Sequence, residues 1–296
     1  MFIKKVFKLI RIFNWQFARV FSFPNLIAKS VQGNFFVPQT ALKVNDHIHK
    51  SLYIDKCFEY DFYITAINFL KKNNFLNNSN DNVLIDAGIN NGVITIGAIN
   101  SGDFNFAIGI DGCSNHTSWC KKNLYLNKIN NVKIITSVLS DSKRSINFVK
   151  SKTNLGNHCV NDQSDDFKFL YGEDNNIANT IESNTLDEVL YPYFDRIQSN
   201  NCLLWIDVEG HEGKVFKGAS QLLSKNIPCV MELCPYMIKR SGISIDEYVS
   251  VIQRYWDEFW LFRNFKLVNY PTSVFSNFIN EFNFDGSYQN IILTPK

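Results

Sequence analysis

Short apolar runs alternate with helix-compatible segments between residues 83 and 233. The runs lack polar alternation, which is typical of strands buried on both faces of a parallel sheet. This rhythm predicts an α/β fold with a mostly parallel sheet and helices on both faces. The predicted strands are 83–85, 106–110, 132–138, 202–206 and 229–233, and the predicted helices are 93–100, 116–126 and 213–224.

The C-terminal part of the chain closes this pattern with a helix and two strands. Ser244 and Glu247 form a capping-box pattern that marks the start of a helix. Two strands near 259–262 and 288–294 follow. We expect them to pair antiparallel at one side of the sheet.

Two segments lie outside the alternation. Residues 46–80 favour further helix and end in an Asn-rich break, which separates an N-terminal helical extension, 1–80, from a main domain, 81–296.

Residues 151–180 are polar and hold five acids. A loop of that length inside a domain is usually functional or mobile. We interpret it as a lid over the ligand crevice, with a disordered insertion as the alternative.

Residues 2–21 predict an amphipathic helix. Its five basic residues fall within one arc of about 120° on a helical projection, and Phe and aliphatic residues fill the opposite side. One interpretation is a helix docked on its own domain with a solvated basic face. The other is a helix lying on an anionic membrane surface.

Composition narrows the function classes. Of the 296 residues 45% are hydrophobic, which excludes a disordered chain. The net charge is +2, but residues 1–45 hold seven basic residues and no acid, so the remainder is net acidic and no nucleic-acid partner is expected. No apolar stretch reaches the roughly 18 residues of a membrane span, and no secretory signal is visible. Seven cysteines without a C-x-x-C pair favour a reducing, cytoplasmic compartment.

The strongest local signal is a buried strand that ends in an acid and a glycine-bearing turn, with Asp86, Gly88, Asn90 and Gly92. Ligands of open α/β sheets bind where such strands end, against the N-terminus of the next helix. Asn90 replaces the second glycine that a dinucleotide pyrophosphate requires. The turn therefore favours S-adenosylmethionine, which has no phosphate and whose ammonium group Asp86 can meet directly or through water.

A second acid, Asp111, ends the next predicted strand, 19 residues beyond Gly92. An acid at this position accepts hydrogen bonds from ribose hydroxyls. The alternative is that Asp86 and Asp111 only cap the helices that follow them.

A third strand end carries Asp207, Glu209 and Glu212. Asp207 and Glu209 share a face if the strand continues through Glu209, and Glu212 falls in the first turn of the next helix, where the helix dipole favours an acid. A carboxylate after five apolar residues is costly unless it is paired or bound. Glu232 repeats the pattern one strand later.

Over about residues 55–295 the chain resembles the FkbM family of S-adenosylmethionine-dependent methyltransferases. The family patterns D-x-G-A-N-x-G, a second-strand acid, N-x-x-x-N, T-L-D and K-I-D-V-E-G-x-E have counterparts here. The matching residues are Asp86, Gly88, Asn90, Gly92, Asp111, Asn123, Asn127, 185–187, 206–212, 218–219 and 290–293. The chain departs from the family pattern at four positions: Ile89 in place of a small residue, Asp111 in place of Glu, Gly112 in place of proline, and Trp205 in place of Lys. The last change bears on the acceptor and the metal preference.

The resemblance implies a class I methyltransferase (Rossmann-like) fold and methyl transfer to a hydroxyl, often of a sugar in a polysaccharide or glycolipid. It assigns cofactor binding to Asp86, Gly88, Asn90, Gly92 and Asp111. The expected partner is a glycan or glycolipid acceptor, and residues 2–21 would contact the inner face of the membrane. A small-molecule or lipid acceptor, and a catalytically silent partner protein, are the alternatives.

A sugar hydroxyl is barely ionised at neutral pH, so a base or a metal must take its proton. Asp207 is the first candidate base, or a ligand of a Mg²⁺-type ion together with Glu209 or Glu232. His211 is the second candidate base. The predicted catalytic set is therefore Asp207, Glu209 and His211.

Overall fold

The computed structural model describes residues 2–23, 25–79, 81–152, 154–161, 177–263, 266–282 and 284–295. The strands are β1 (Asn25–Lys29), β2 (Asn34–Pro38), β3 (Val83–Ala87), β4 (Phe106–Asp111), β5 (Val132–Thr136), β6 (Val138–Leu139), β7 (Ser145–Lys150), β8 (Cys159–Val160), β9 (Ile177–Asn184), β10 (Cys202–Ile206), β11 (Cys229–Leu233), β12 (Trp256–Arg263), β13 (Lys266–Pro271) and β14 (Gln289–Pro295). The α-helices are α1 (Phe2–Val20), α2 (Gln39–Val44), α3 (His47–Ile54), α4 (Tyr60–Lys72), α5 (Val93–Asn100), α6 (Ser114–Leu126), α7 (Leu186–Leu190), α8 (Glu212–Lys217), α9 (Ser220–Leu223), α10 (Pro235–Arg240), α11 (Ile245–Tyr255) and α12 (Phe275–Asn280).

An eight-stranded sheet in the order β13-β12-β14-β11-β10-β3-β4-β5 forms the centre of the molecule. Strands β5, β4, β3, β10 and β11 are parallel, and β14 pairs antiparallel with both β11 and β12. The chain leaves β3 towards β5 and returns at β10, so the strand order reverses between β3 and β10. The predicted α/β fold is confirmed: this is the class I methyltransferase arrangement, with the last strands antiparallel as expected.

Helices cover both faces of the sheet because successive residues of a buried strand point to opposite sides. Ile85 and Ile206 belong to a core that includes Val215 of α8. Leu84, their neighbour on the other face, belongs to a core that includes Phe62 of α4. The buried strands predicted from apolar runs therefore lie in the middle layer.

The N-terminal part contains an antiparallel hairpin, β1–β2, that was not predicted. Two asparagines of α6, one turn apart, hold it. Asn123 Oδ1 accepts the Phe36 N–H at 2.7 Å, and Asn127 Oδ1 accepts the Asn34 N–H at 2.8 Å. Asn127 Nδ2 also donates to the Asn34 carbonyl at 2.7 Å. The N-x-x-x-N pattern thus supplies β2 with the partners that another strand would otherwise provide.

Helix α1 docks through the side that carries its arginines. Trp15 is fully buried on this side. Arg11 Nε donates to the Ile54 carbonyl at 2.7 Å and Arg19 Nε to the Leu42 carbonyl at 2.9 Å. These carbonyls lie in the last turns of α3 and α2, where the helix dipole favours a positive charge. Helix α1 does dock on its own domain, as one interpretation held. The expected orientation is wrong, because the apolar side is the one that faces outward.

A second, four-stranded sheet has the order β6-β9-β7-β8. Its strands lie between β5 and β10 along the chain, and the sheet was not predicted. Strand β8 and the start of β9 lie inside 151–180. Residues 162–176 are outside the described residues, and so is that part of the predicted lid. The helix predicted over 213–224 consists of α8 and α9, which meet near Gly218, where a Cβ would lie 2.3 Å from the Ser140 carbonyl oxygen.

Candidate active site

A cavity opens at the carboxyl ends of β3, β4 and β10, where the strand order reverses. Its empty volume, mouth included, is about 950 Å³. The predicted site residues in its lining are Asp86, Gly88, Asn90, Asp111, Asp207, Glu209 and His211. Gly92 and Glu232 lie outside the lining.

The glycine turn after β3 packs against the loop after β10. Gly88 has φ +93°, and a Cβ there would lie 1.8 Å from the Asp207 carbonyl oxygen. The Asp207 N–H donates to the Ala87 carbonyl at 2.8 Å. Gly92, with φ +85°, lies against α6, since a Cβ there would be 2.6 Å from Cys120 Sγ. Both glycines are required by close approach of neighbouring elements.

Asp86 is buried at the end of β3. Thr95 Oγ1, on α5, donates to its Oδ2 at 2.5 Å. The pKa of Asp86 is raised to about 7, mainly by burial, and the charges of Asp207 and Asp111 contribute to this shift. The carboxyl therefore bonds the first turn of the following helix through both the side chain and the backbone of Thr95.

Asp111 accepts three hydrogen bonds. Its Oδ1 accepts the Cys113 N–H at 2.7 Å, and its Oδ2 accepts the Asn90 N–H at 3.0 Å and lies 3.1 Å from His116 Nδ1. Burial raises the pKa of Asp111, but His116 and these N–H groups outweigh it and hold the pKa below its usual value. Asp111 is an ionised acceptor that also joins the two turns of the cofactor crevice.

The loop after β10 does not continue the strand. Glu209 has φ +57°, in the left-handed region, so Asp207 and Glu209 do not share a strand face as they would if β10 continued. Glu212 Oε1 accepts two backbone N–H groups of this loop, at 3.0 and 3.2 Å. Arg240 donates to the Glu209 carbonyl at 2.9 Å. Glu212 and Arg240 therefore hold the loop that presents Asp207.

Burial raises the pKa values of several acids in and around the cavity. Asp207 is accessible to water inside the cavity but densely surrounded by protein, and its pKa is raised to about 6. The pKa values of Glu59 and Glu212 are raised to about 7, and that of Glu232 lies well above its usual value. Burial is the largest cause in each case, and the charge of Asp207 adds to the shifts of the other three.

Glu59 is a site residue that sequence reasoning missed. It precedes α4, lines the cavity, and lies 3.4 Å from Asn290 Nδ2 through its Oε1. Its partner is 231 positions away in sequence. The only sequence signal was an acid within the predicted helical stretch 46–80, where a charged side chain has a plain structural explanation.

Two other residues of the lining have packed environments. Trp205 lies against Phe62 and Tyr63, with ring centroids 5.8 and 6.0 Å apart, and gives the cavity an aromatic wall where the family usually has lysine. His211 is buried, and its Nε2 lies 3.0 Å from Ser140 Oγ. The histidine is thus held beside the loop that carries Asp207.

The expected metal set does not assemble. Among the described residues, Asp207, Glu209 and Glu232 do not form a group of three closely spaced donor atoms. A Mg²⁺ ion requires oxygen ligands converging at close range. A Mg²⁺ site at these three carboxylates is not supported.

A different donor group, Cys113, His116 and His158, has its donor atoms within 4.8 Å of one another. Sequence reasoning did not connect the three. The His116 and His158 rings are stacked 4.6 Å apart, and the Ser151 N–H donates to His158 Nδ1 at 3.2 Å. His116 is bonded to Asp111, the candidate ribose-binding residue, and His158 is bonded to the Ser151 N–H. These bonds hold both rings in the cavity wall beside Asp111.

The charge of the cavity favours a cationic ligand. Five carboxylates line it, and within the described part of the chain no lysine or arginine does. A cleft lined by one sign of charge concentrates ligands of the opposite sign. The sulfonium and ammonium groups of S-adenosylmethionine suit this lining, whereas a dinucleotide pyrophosphate would be repelled.

Comparisons with known proteins gave one family match and a set of similar solved structures. The family model of the methyltransferase FkbM domain matches residues 48–259. Among solved structures, the chain is similar to TYW2 of M. jannaschii in complex with AdoMet (TM-score 0.39, 12% identity, 92% of this chain and 85% of that chain). It is also similar to an rRNA methylase from Streptococcus thermophilus (0.40, 11%, 77% and 93%) and to precorrin-6y C5,15-methyltransferase from Geobacter metallireducens GS-15 (0.37, 8%, 79% and 87%). No curated protein matches the chain significantly.

Proposed function

The chain belongs to the FkbM family of methyltransferases, and we propose that this S-adenosylmethionine-dependent enzyme methylates a sugar hydroxyl of a polysaccharide or glycolipid. The observation that carries the proposal is the acidic cavity at the strand ends, with five carboxylates and no lysine or arginine among its described lining residues. A neutral, hydroxyl-rich acceptor can enter beside the cationic cofactor. A phosphorylated or carboxylated acceptor would meet repulsion.

The residues of the cavity fit the cofactor. A carboxylate offers about four lone-pair sites, and three at Asp111 are in use, which leaves one site to accept a ribose hydroxyl. Asp86 would face the ammonium group directly or through water, and a nearby cation would lower its raised pKa. Gly88 and Asn90 complete the turn between these two acids.

When bound, S-adenosylmethionine supplies an electrophilic methyl group. The protein must orient the acceptor hydroxyl and take its proton. Asp207 is the first candidate base because it lines the cavity, is reached by water, and has a pKa near 6, so it is mostly ionised at neutral pH. Glu59 is the alternative candidate base in the same cavity. His211 and Glu209 are weaker candidates for the base because they hold or border the loop after β10.

Methyl transfer to a panel of glycans tests the proposal. Asp207→Asn is expected to lower kcat by roughly 10²–10⁴-fold while cofactor affinity stays within a few fold. Wild-type kcat/KM, which reports groups of the free enzyme, should rise with pH through about 6 as Asp207 loses its proton, and the variant should lack that rise.

The matched control is Asp246→Asn, which removes an exposed carboxylate from α11 and should keep wild-type turnover. Full turnover by a folded Asp207→Asn would exclude Asp207 as the base. Transfer to lipids or small molecules but to no glycan would exclude the sugar acceptor.

A further inference from the structure

We propose that the outward face of α1 and the adjoining hairpin dock the enzyme on an anionic membrane surface. Of the fifteen large hydrophobic side chains that are exposed among the described residues, eleven lie between residues 6 and 31. Such concentration on one surface marks an interaction site. The eleven, here called the apolar face, are Val6, Phe7, Leu9, Ile10, Phe13, Phe17, Val20, Phe21, Phe23, Ile27 and Val31.

The apolar face cannot turn inward because the opposite side of α1 is anchored. Trp15 is fully buried there, and its Nε1 donates to Asn45 Oδ1 at 3.0 Å. Lys8 Nζ lies 2.6 Å from Asp55 Oδ1, and the two arginines of α1 hold the ends of α2 and α3. An amphipathic helix whose polar side packs against its own domain exposes its apolar side, which is then available to a membrane or a partner protein.

Four phenylalanines of the apolar face form one cluster. Phe17 lies 6.2 Å from Phe13, 4.3 Å from Phe21 and 5.9 Å from Phe23, measured between ring centroids. Ile27 of β1 is exposed as well. A bulky ridge of this kind suits shallow insertion between lipid headgroups. No helix in the described part of the chain is long and apolar enough to cross a membrane.

The charge of the segment that carries the apolar face selects the occupant. Residues 1–45 carry seven basic residues and no acid. Lys5, Lys29 and Lys43 of this segment are exposed. A second copy of the chain, docked through the same face, would bring two such segments together, because a two-fold interface is self-complementary. Anionic lipid headgroups would instead neutralise them.

Membrane docking goes beyond methyl transfer and does not depend on the acceptor. It has one consequence for the site, since α1 packs on α3 and Ile48 of α3 lines the cavity. Docking through α1 would hold the cavity near the membrane, where lipid-linked acceptors are found.

Vesicle co-sedimentation of the full chain tests the proposal. The probes are vesicles of phosphatidylcholine and phosphatidylglycerol in equal parts, and vesicles of phosphatidylcholine alone. Wild-type protein should bind the first more tightly than the second. The double variant Phe13→Ser, Phe17→Ser should bind the anionic vesicles roughly tenfold more weakly or worse. Point variants are preferable to deletion of α1, which would also remove the buried Trp15.

The matched control is Tyr125→Ser, Tyr191→Ser, which removes two exposed aromatics that lie outside the apolar face and should bind as the wild type does. Lys29→Ala, Lys43→Ala should weaken binding to the anionic vesicles and reduce its salt dependence. Wild-type protein that stays in solution, or a Phe variant that binds fully, would overturn the proposal. A wild-type dimer without vesicles that the Phe variant abolishes would assign the face to a second copy instead.

Discussion

A single glycine sets the spacing between the cofactor turn and the candidate base. Gly88 lies so close to the loop after β10 that only a hydrogen fits against the Asp207 carbonyl. Its positive φ is a second requirement for glycine. The sequence pattern predicted a glycine-bearing turn after a buried strand, and the structure adds the reason for this glycine, which is contact between two loops.

Gly88→Ala is expected to destabilise the protein by about 3 kcal/mol or more, because backbone atoms must move to admit the Cβ. Gly102→Ala is the matched control, since Gly102 also has a positive φ, +77°, but its Cβ would meet no atom within 4 Å. That variant should cost only about 1–2 kcal/mol of backbone strain. Denaturant unfolding measures both, and equal losses would show that the loop contact is unimportant.

At the scale of elements, what could be predicted depended on burial. Strands β3, β10 and β11 were recognised because they are buried on both faces and read as apolar runs. The hairpin β1–β2 was missed because the side chains that hold β2, Asn123 and Asn127, lie almost ninety positions away. The small sheet was missed because its strands are short or carry mixed polar and apolar residues.

Helix α1 shows a different limit of sequence reasoning. Its projection correctly separates a basic arc from an apolar side, but it does not reveal which side docks. The outcome was decided by the arginines, whose long stems pack on the domain while their guanidinium groups reach the last-turn carbonyls of α2 and α3. Those helix ends are visible only in three dimensions, as is the approach of Glu59 to Asp207.

At the scale of the whole molecule, a cationic ligand is expected to lower the cost of ionising the acids in and around the cavity. Glu59, Asp86 and Glu212 have pKa values raised to about 7, and Asp207 to about 6, mainly by burial. Ionising these groups in the folded state is therefore costly at neutral pH. Binding of a positively charged cofactor is expected to stabilise the fold as well as prepare the reaction.

The ligand-free protein is expected to gain stability as pH falls from 8 to 5. Between the ordinary carboxyl pKa values near 4 and the raised values of 6 to 7, the folded state binds more protons than the unfolded state, so acidification favours folding. His158, whose pKa burial lowers to about 4, opposes the gain but is one group against four.

The gain should exceed about 1 kcal/mol in denaturant unfolding at the two pH values. Glu59→Gln should reduce the slope because it removes one of the raised carboxyls, whereas Glu281→Gln, at an exposed position, should leave it unchanged. Stability that falls steadily from pH 8 to pH 5 would contradict the assignment of raised pKa values to the cavity.

The central claim is that the acidic crevice between β3, β4 and β10 binds S-adenosylmethionine, and calorimetric titration of the purified protein tests it most directly. We expect micromolar binding of S-adenosylmethionine, no binding of NAD, and at least tenfold weaker binding by Asp111→Asn, roughly the loss of one charged hydrogen bond. Absence of S-adenosylmethionine binding by folded protein, or preference for NAD, would contradict the account.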